Sequence, residues 1–331
     1  MAGGRQQNVD DLISSGLKSL ANGHVMGAQD YIDEALALDP ERVNSLLAST
    51  LVHWAAGDDE AARDSVKSAV CYMSDDIDEL IMLGMGYARI EDDVQAYEYL
   101  ARALDLAGDD AEVISVLASA LLEAGFPGDA MHAAREALSI EPELAEASLT
   151  LGSACVMLDR DADAVEPLRR ATRLMPDNAV PPFLLGVALY ETNQFAEAVR
   201  AFGEAAKREP EDRMIDIWRA KALYDNGQTD DAIRMVDSFM EEAVDSADLA
   251  VEMANFYGLN AKMPEKAVPL LEKAIELDPT IPEAYFNLTY ASLLVGDENG
   301  ARRALQRLYK VDGELAELAI ENLPSMADCL Y

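Results

Sequence analysis

Basic residues are scarce in this chain. Its 26 lysines and arginines face 62 aspartates and glutamates, a formal charge of −36. A field of that sign repels nucleic-acid phosphate and anionic lipid, so neither nucleic acid nor membrane is an expected partner. Cysteine is rarer still: Cys71, Cys155 and Cys329 stand far apart with no CxxC spacing. That excludes a disulfide framework or a zinc site and suits a reducing compartment. The three histidines, His24, His53 and His132, share no motif. No apolar run reaches the length of about 18 residues that a membrane-spanning helix needs. The opening MAGGRQQNVDD has neither the basic start nor the apolar core of a secretory signal. The expected location is cytoplasmic. HExxH, GxSxG, a Walker A lysine loop and GxGxxG after a strand are all missing. Gly84-Met85-Gly86 lies inside a helical stretch and cannot cradle phosphate. Paired carboxylates follow turns rather than converging on a pocket. The expectation is a protein without catalytic residues, cofactor or metal.

Alanine and leucine are abundant, and they recur at helical spacing. Windows of 34 residues can be laid almost without gaps from Val9, Val43, Ile77, Ala111, Ala145, Ala179, Arg213, Ala247 and Pro282. Small residues mark the phase: Ala28, Ala62, Ala96, Ala130, Ala164, Ala198 and Ala232 stand 34 apart, and Ala267 and Ala301 follow after one extra residue. A second row, from Ala35 to Ala205, lies seven residues later. Each window reads as two amphipathic helices joined by a turn, the alanines allowing close approach and Leu and Phe filling the space left. One such unit cannot bury its apolar face alone, so stacking is obligatory.

Leu83-Gly84 with Tyr87, Leu151-Gly152 and Leu185-Gly186 occupy corresponding places, as do Pro40, Pro142, Pro176, Pro210 and Pro279. With these residues the chain resembles the tetratricopeptide repeat family, over about residues 9–315. Ser74, Gly108 and Val244 stand where the second, third and seventh windows lack the proline. The resemblance implies an all-α fold, a right-handed α-solenoid superhelix of about nine helix-turn-helix repeats making roughly one turn. First helices would line a concave wall. The expected organisation is a disordered stretch at 1–8, a single array at 9–313, and a C-terminal capping helix and tail at 314–331.

Acidic doublets punctuate the first half. Asp58-Asp59, Asp75-Asp76, Asp92-Asp93 and Asp109-Asp110 are 17 residues apart, half a repeat. Asp at each turn is expected to accept from free N–H groups at helix starts, and no DxDxDG calcium loop is present. Pro127, Pro182, Pro264 and Pro282 fall in first turns of helices, where a missing N–H costs little. Pro167 and Pro269 lie deeper, predicting a late helix start or a kink.

Places 5, 9 and 12 of each window form one stripe on the first helices, the implied inner wall. Of its 27 residues, 21 are apolar and one, Lys221, is charged. Some relatives grip a peptide C-terminal carboxylate with several cations on this wall, and one lysine is too few. An apolar groove for an amphipathic or extended polypeptide fits better. The candidate partner-binding residues are Trp54, Met85, Phe183, Val187, Tyr190, Lys221, Tyr224, Asn255, Phe286 and Tyr290. The acidity would favour a partner that mixes apolar and basic residues, or would simply keep an alanine-rich array soluble. Three readings follow: a non-enzymatic scaffold or adaptor, a chaperone-like protein for secretion or assembly clients, and a self-assembling structural protein. Packing of first helix against first helix accounts for the aliphatic part of the stripe without any ligand.

Overall fold

The computed structural model describes residues 2–238, 240 and 246–323. The chain divides into two compact units, Met1–Leu174 and Met175–Tyr331. Unit 1 holds α1 (Ala2–Ala21), α2 (Val25–Leu38), α3 (Val43–Ala55), α4 (Asp59–Val70), α5 (Ile77–Arg89), α6 (Asp93–Ala107), α7 (Ala111–Glu123), α8 (Pro127–Ile140), α9 (Ala145–Met157) and α10 (Asp161–Leu174). Unit 2 holds α11 (Val180–Glu191), α12 (Phe195–Arg208), α13 (Arg213–Asp225), α14 (Thr229–Ser238), α15 (Ala247–Asn255), α16 (Pro264–Leu277), α17 (Pro282–Leu294), α18 (Glu298–Val311) and α19 (Gly313–Asn322). Within each unit a helix packs on its sequence neighbours, and each first helix also touches the next first helix. This is the stacked helix-turn-helix arrangement that the 34-residue period requires.

The core is built from the phase-marking residues. Ala28, Ala62, Ala96, Ala130, Ala164, Ala198, Ala232 and Ala301 have no exposed surface. Close approach is tightest at the Leu-Gly pairs. A Cβ on Gly84 would stand 2.5 Å from Leu100 Cγ, one on Gly152 2.4 Å from Leu168 Cγ, and one on Gly186 2.6 Å from Phe202 Cδ1. Glycine there is a packing requirement, not a hinge.

The doublets do cap helices. Asp58 accepts from the Ala61 N–H and Asp92 from that of Gln95 at the starts of second helices. Asp76 and Asp110 each accept from two N–H groups at the starts of first helices. The capping member is therefore the first Asp of one doublet and the second of the next. Each such cap is worth about 1 kcal/mol. Between first and second helix, all nine turns pass through a left-handed residue: Gly23, Gly57, Glu91, Gly125, Asp159, Asn193, Gly227, Lys262 and Gly296. Where the closing proline is missing, other chemistry serves. Ser74 donates from both N–H and hydroxyl to Glu79 Oε2 at 2.8 Å. Gly108 turns the chain with φ of +57°. Val244 lies outside the described residues.

Two expectations change. Residues 2–8 belong to α1 rather than to a disordered leader. Pro167 and Pro269 sit inside α10 and α16, which start at Asp161 and Pro264 and run through them, so the late start does not occur. The extra residue between Ala232 and Ala267 is also located. Following α15, Phe256–Asn260 forms a π turn, the wider helical turn that takes up one inserted residue without breaking the helix. Tyr257 in this turn is fully buried, and its hydroxyl donates to Asp237 Oδ1 at 2.6 Å, an oxygen that also accepts from Lys266 Nζ at 2.6 Å. Burial and the Asp237 carboxylate push the Tyr257 hydroxyl pKa well above its ordinary value.

The last helix, α19, places Ala316 and Ala319 against the core residues Leu305 and Leu308 of α18. It covers the end of unit 2 as the sequence suggested. The tail SMADCLY lies outside the described residues.

Candidate functional site

Part of the first-helix stripe keeps apolar side chains partly open. In unit 1, Trp54 on α3 is exposed, and the Arg89 guanidinium sits 4.9 Å above its ring. Met85 on α5 is half-buried. His53, the residue before Trp54, shares hydrogen bonds with Ser49 and Ser65 and is packed rather than free. Ile13, Leu47 and Ser115 of the same stripe are buried, so packing between helices accounts for them.

Unit 2 carries the denser set. Phe183, Val187 and Tyr190 on α11, Lys221 and Tyr224 on α13, Asn255 on α15, and Phe286 and Tyr290 on α17 are all half-buried. Their neighbours show why. Phe183 leans on the buried ring of Phe202 at 5.7 Å and meets Trp218 edge-on at 6.3 Å. Tyr190 meets Phe195 at 5.4 Å and Trp218 at 6.1 Å, both edge-on. Tyr224 stands edge-on to the buried Phe256 at 6.2 Å, and Phe286 and Tyr290 lie 4.9 Å apart. Phe183, Tyr224 and Phe286 thus rest on the core, Tyr190 and Tyr290 rest on half-buried rings, and all five stay partly open. Edge-to-face pairs of this kind add roughly 0.5–1.5 kcal/mol beyond burial.

The polar groups are largely committed to one another. Lys221 Nζ donates to Glu252 Oε2 at 2.7 Å and lies 4.5 Å above the Trp218 ring. The stripe's single cation is therefore already neutralised, which strengthens the case against a carboxylate grip. Asn287 Nδ2 donates to Asn255 Oδ1 at 2.8 Å. The Tyr190 hydroxyl donates to Asp225 Oδ2 at 2.5 Å. Burial first, then that carboxylate, push its pKa up to about 12, while a bond from Asn260 pulls the other way. Asp225 thus already occupies the Tyr190 hydroxyl.

Sequence reasoning missed Trp218, the ring on which Phe183, Tyr190, Phe202 and Lys221 converge. It stands one place after Ile217, off the chosen stripe, and the aromatics at neighbouring repeats were the available signal. Asp225, Glu252 and Asn287 were also missed, each about one repeat from its partner in sequence. Among the described residues no group of acids, histidines or cysteines could hold a metal ion. None of the described helices is long and apolar enough to cross a membrane. Cys71 is exposed and Cys155 buried, and burial raises the Cys155 thiol pKa.

Two family models, both described as tetratricopeptide repeat, match the chain: one over residues 16–76, 115–179 and 183–238, the other over 270–303. No curated protein matches the sequence. Among solved structures, a tetratricopeptide repeat protein from Parabacteroides merdae superposes with TM-score 0.52 at 16% identity, covering 86% of this chain and 99% of that one. Human IFIT1 bound to m7Gppp-AAAA has TM-score 0.48 at 20% identity, covering 86% and 77%. YrrB, described as having an unusual peptide-binding site, has TM-score 0.38 at 17% identity, covering 67% and 97%. Likeness at these identities concerns the fold.

Proposed function

The chain belongs to the tetratricopeptide repeat family, and from that premise we propose that it is a non-enzymatic scaffold binding an apolar, basic polypeptide segment along the first-helix stripe of unit 2. Such repeats are typical of protein-interaction scaffolds. The observation that carries the reading is the row of half-open rings, Phe183, Tyr190, Tyr224, Phe286 and Tyr290, on the first helices α11, α13 and α17. Rings backed by the core and open on one side are preorganised anchors that lose little freedom when a partner covers them. Asp225 and Glu252 stand beside them as acceptors, and the charge of −36 favours a basic partner's approach.

The test uses labelled amphipathic peptides with apolar positions at helical spacing and either Lys or Glu between them. Fluorescence anisotropy should show binding of the Lys peptide, weakening with salt, and little of the Glu peptide. A Phe286→Ala/Tyr290→Ala variant, whose rings are not fully buried, should keep its far-UV circular dichroism and lose at least tenfold in affinity, about 1.4 kcal/mol. Equal binding of both peptides, or undiminished binding by the variant, would refute the stripe as the site.

A further inference from the structure

The stripe leaves unexplained a concentration of positive charge elsewhere in unit 2. Between α12 and α13 lies an open cleft of about 570 Å³ whose lining includes Arg200, Lys207 and Arg219. Arg200 and Lys207 are seven residues apart on one face of α12 with Gly203 between them, both exposed. Arg219 comes across from α13, its Cζ and Nε 3.7 Å from where a Cβ on Gly203 would stand. The lack of a side chain at 203 therefore leaves the guanidinium lying close over the α12 backbone.

Among the described residues none of the three cations has a counter-ion within 4 Å. Glu204 and Asp216 also line the cleft, yet no ion pair joins either to Arg200, Lys207 or Arg219. Asp216 faces Arg213 instead, at 3.5 Å. The Arg219 Nε is withdrawn from solvent without an acceptor. In a chain with more than two acids per base, three converging unpaired cations are unexpected. The helix dipole accounts for Lys207, in the last turn of α12. It accounts for neither Arg200 nor Arg219, which sit in mid-helix.

From this geometry we infer that the cleft is a binding site for a compact dianion of the phosphate class, free or as a small monoester. Two guanidinium forks and an ammonium suit a tetrahedral group with several acceptor oxygens, and their combined charge exceeds what one carboxylate would neutralise. Glu204 and Asp216 at its edge, and the acidity of the chain, disfavour an extended polyanion. The site is separate from the aromatic stripe and does not depend on it.

The full-length protein, labelled with ¹⁵N, is titrated with sodium phosphate and with O-phosphoserine, each against sodium chloride at matched ionic strength. Saturable shifts of the Arg219 Nε–Hε resonance and the Gly203 amide are expected with both phosphates and not with chloride. A tighter fit for one than the other distinguishes free ion from monoester, and either order supports the site. Arg200→Gln and Lys207→Gln, at exposed positions that leave the fold intact, should each weaken binding several-fold. Glu204→Gln should tighten it by removing a repelling charge. Shifts identical to those in chloride, or shifts at Gly203 unchanged in an Arg200→Gln/Lys207→Gln variant with native circular dichroism, would overturn the inference.

Discussion

Replacing Gly186 with alanine sets two effects of known size against each other. A glycine-to-alanine change in a helix interior is ordinarily stabilising by about 1 kcal/mol. Here the new Cβ would stand 2.6 Å from both Cδ1 and Cε1 of Phe202 and 2.9 Å from its Cγ. Carbon atoms in contact prefer about 3.5–4 Å. The Phe202 ring has no exposed surface and is hemmed in by Phe183 at 5.7 Å and Trp218 at 6.1 Å, so it cannot swing aside. Overpacking of this kind costs about 1–3 kcal/mol, and backbone contact by a whole ring belongs in the upper part of that range. The net expectation is a loss of about 1–2 kcal/mol once the gain in helix propensity is subtracted. Phe202→Ala alone should cost about 3–5 kcal/mol through the cavity it leaves. In that background Gly186→Ala should turn stabilising by about 1 kcal/mol, because the clash is gone and only propensity remains. The two substitutions should therefore couple by about 2–3 kcal/mol. Stacked repeats unfold partly independently, so the probe must be local. With Trp54→Phe as the parent, Trp218 is the only tryptophan left, and urea unfolding followed by its fluorescence reports this region. If Gly186→Ala stabilises the parent, or the cycle shows no coupling, the close approach of α11 to α12 is not what holds glycine at this place.

Two other perturbations test the turns and the tyrosine network. Glu91 and Lys262 adopt φ of +59° and +54°, where five other first-to-second-helix turns use glycine. Glu91→Gly and Lys262→Gly should each stabilise by about 0.5–1 kcal/mol, since a side chain in the left-handed region costs about 1–2 kcal/mol and glycine's extra chain entropy offsets part of the gain; denaturation midpoints that fall would contradict this. The Tyr190 hydroxyl, raised to about 12 by burial and Asp225, binds its proton more tightly in the folded state than in the unfolded chain. Its contribution is complete below pH of about 10 and drains away as pH rises towards about 12. Urea midpoints of the parent should fall more steeply over that range than those of Tyr190→Phe, and parallel curves would show that Tyr190 is not the group responsible.

Much of the architecture was legible because a period is a strong signal. The windows begun at Val43, Ile77, Ala111, Ala145, Arg213, Ala247 and Pro282 open on the first residue of α3, α5, α7, α9, α13, α15 and α17. The doublets were legible as caps because an Asp preceding a helix has one short-range task, and its N–H donors lie two or three residues away. The leader was misread because MAGGRQQN looks polar and glycine-bearing, whereas residues 2–8 continue the helix that Val9 and Ile13 anchor in the core. Pro167 and Pro269 were misread because a proline removes one backbone bond, and packing of the same helix on its neighbours outweighs that loss.

By itself, then, the sequence determined the repeat length, the two-helix unit, the alanine and glycine contacts at 34-residue spacing, and which stripe of the first helices stays apolar. All of these are set by residues within one repeat or by periodicity, and both are visible along a line. Only the tertiary structure decided that Trp218 is the hub of the rings, that Lys221 is held by Glu252, that the Tyr190 hydroxyl donates a hydrogen bond to Asp225, and that Arg200, Lys207 and Arg219 line one cleft without a counter-ion among the described residues. Those relations join side chains on different helices, some a whole repeat apart, and depend on how one helix lies against the next and which rotamer each long side chain adopts there. The same period that announces the scaffold is silent about them, because the residues that distinguish one repeat from another are the ones the period leaves free.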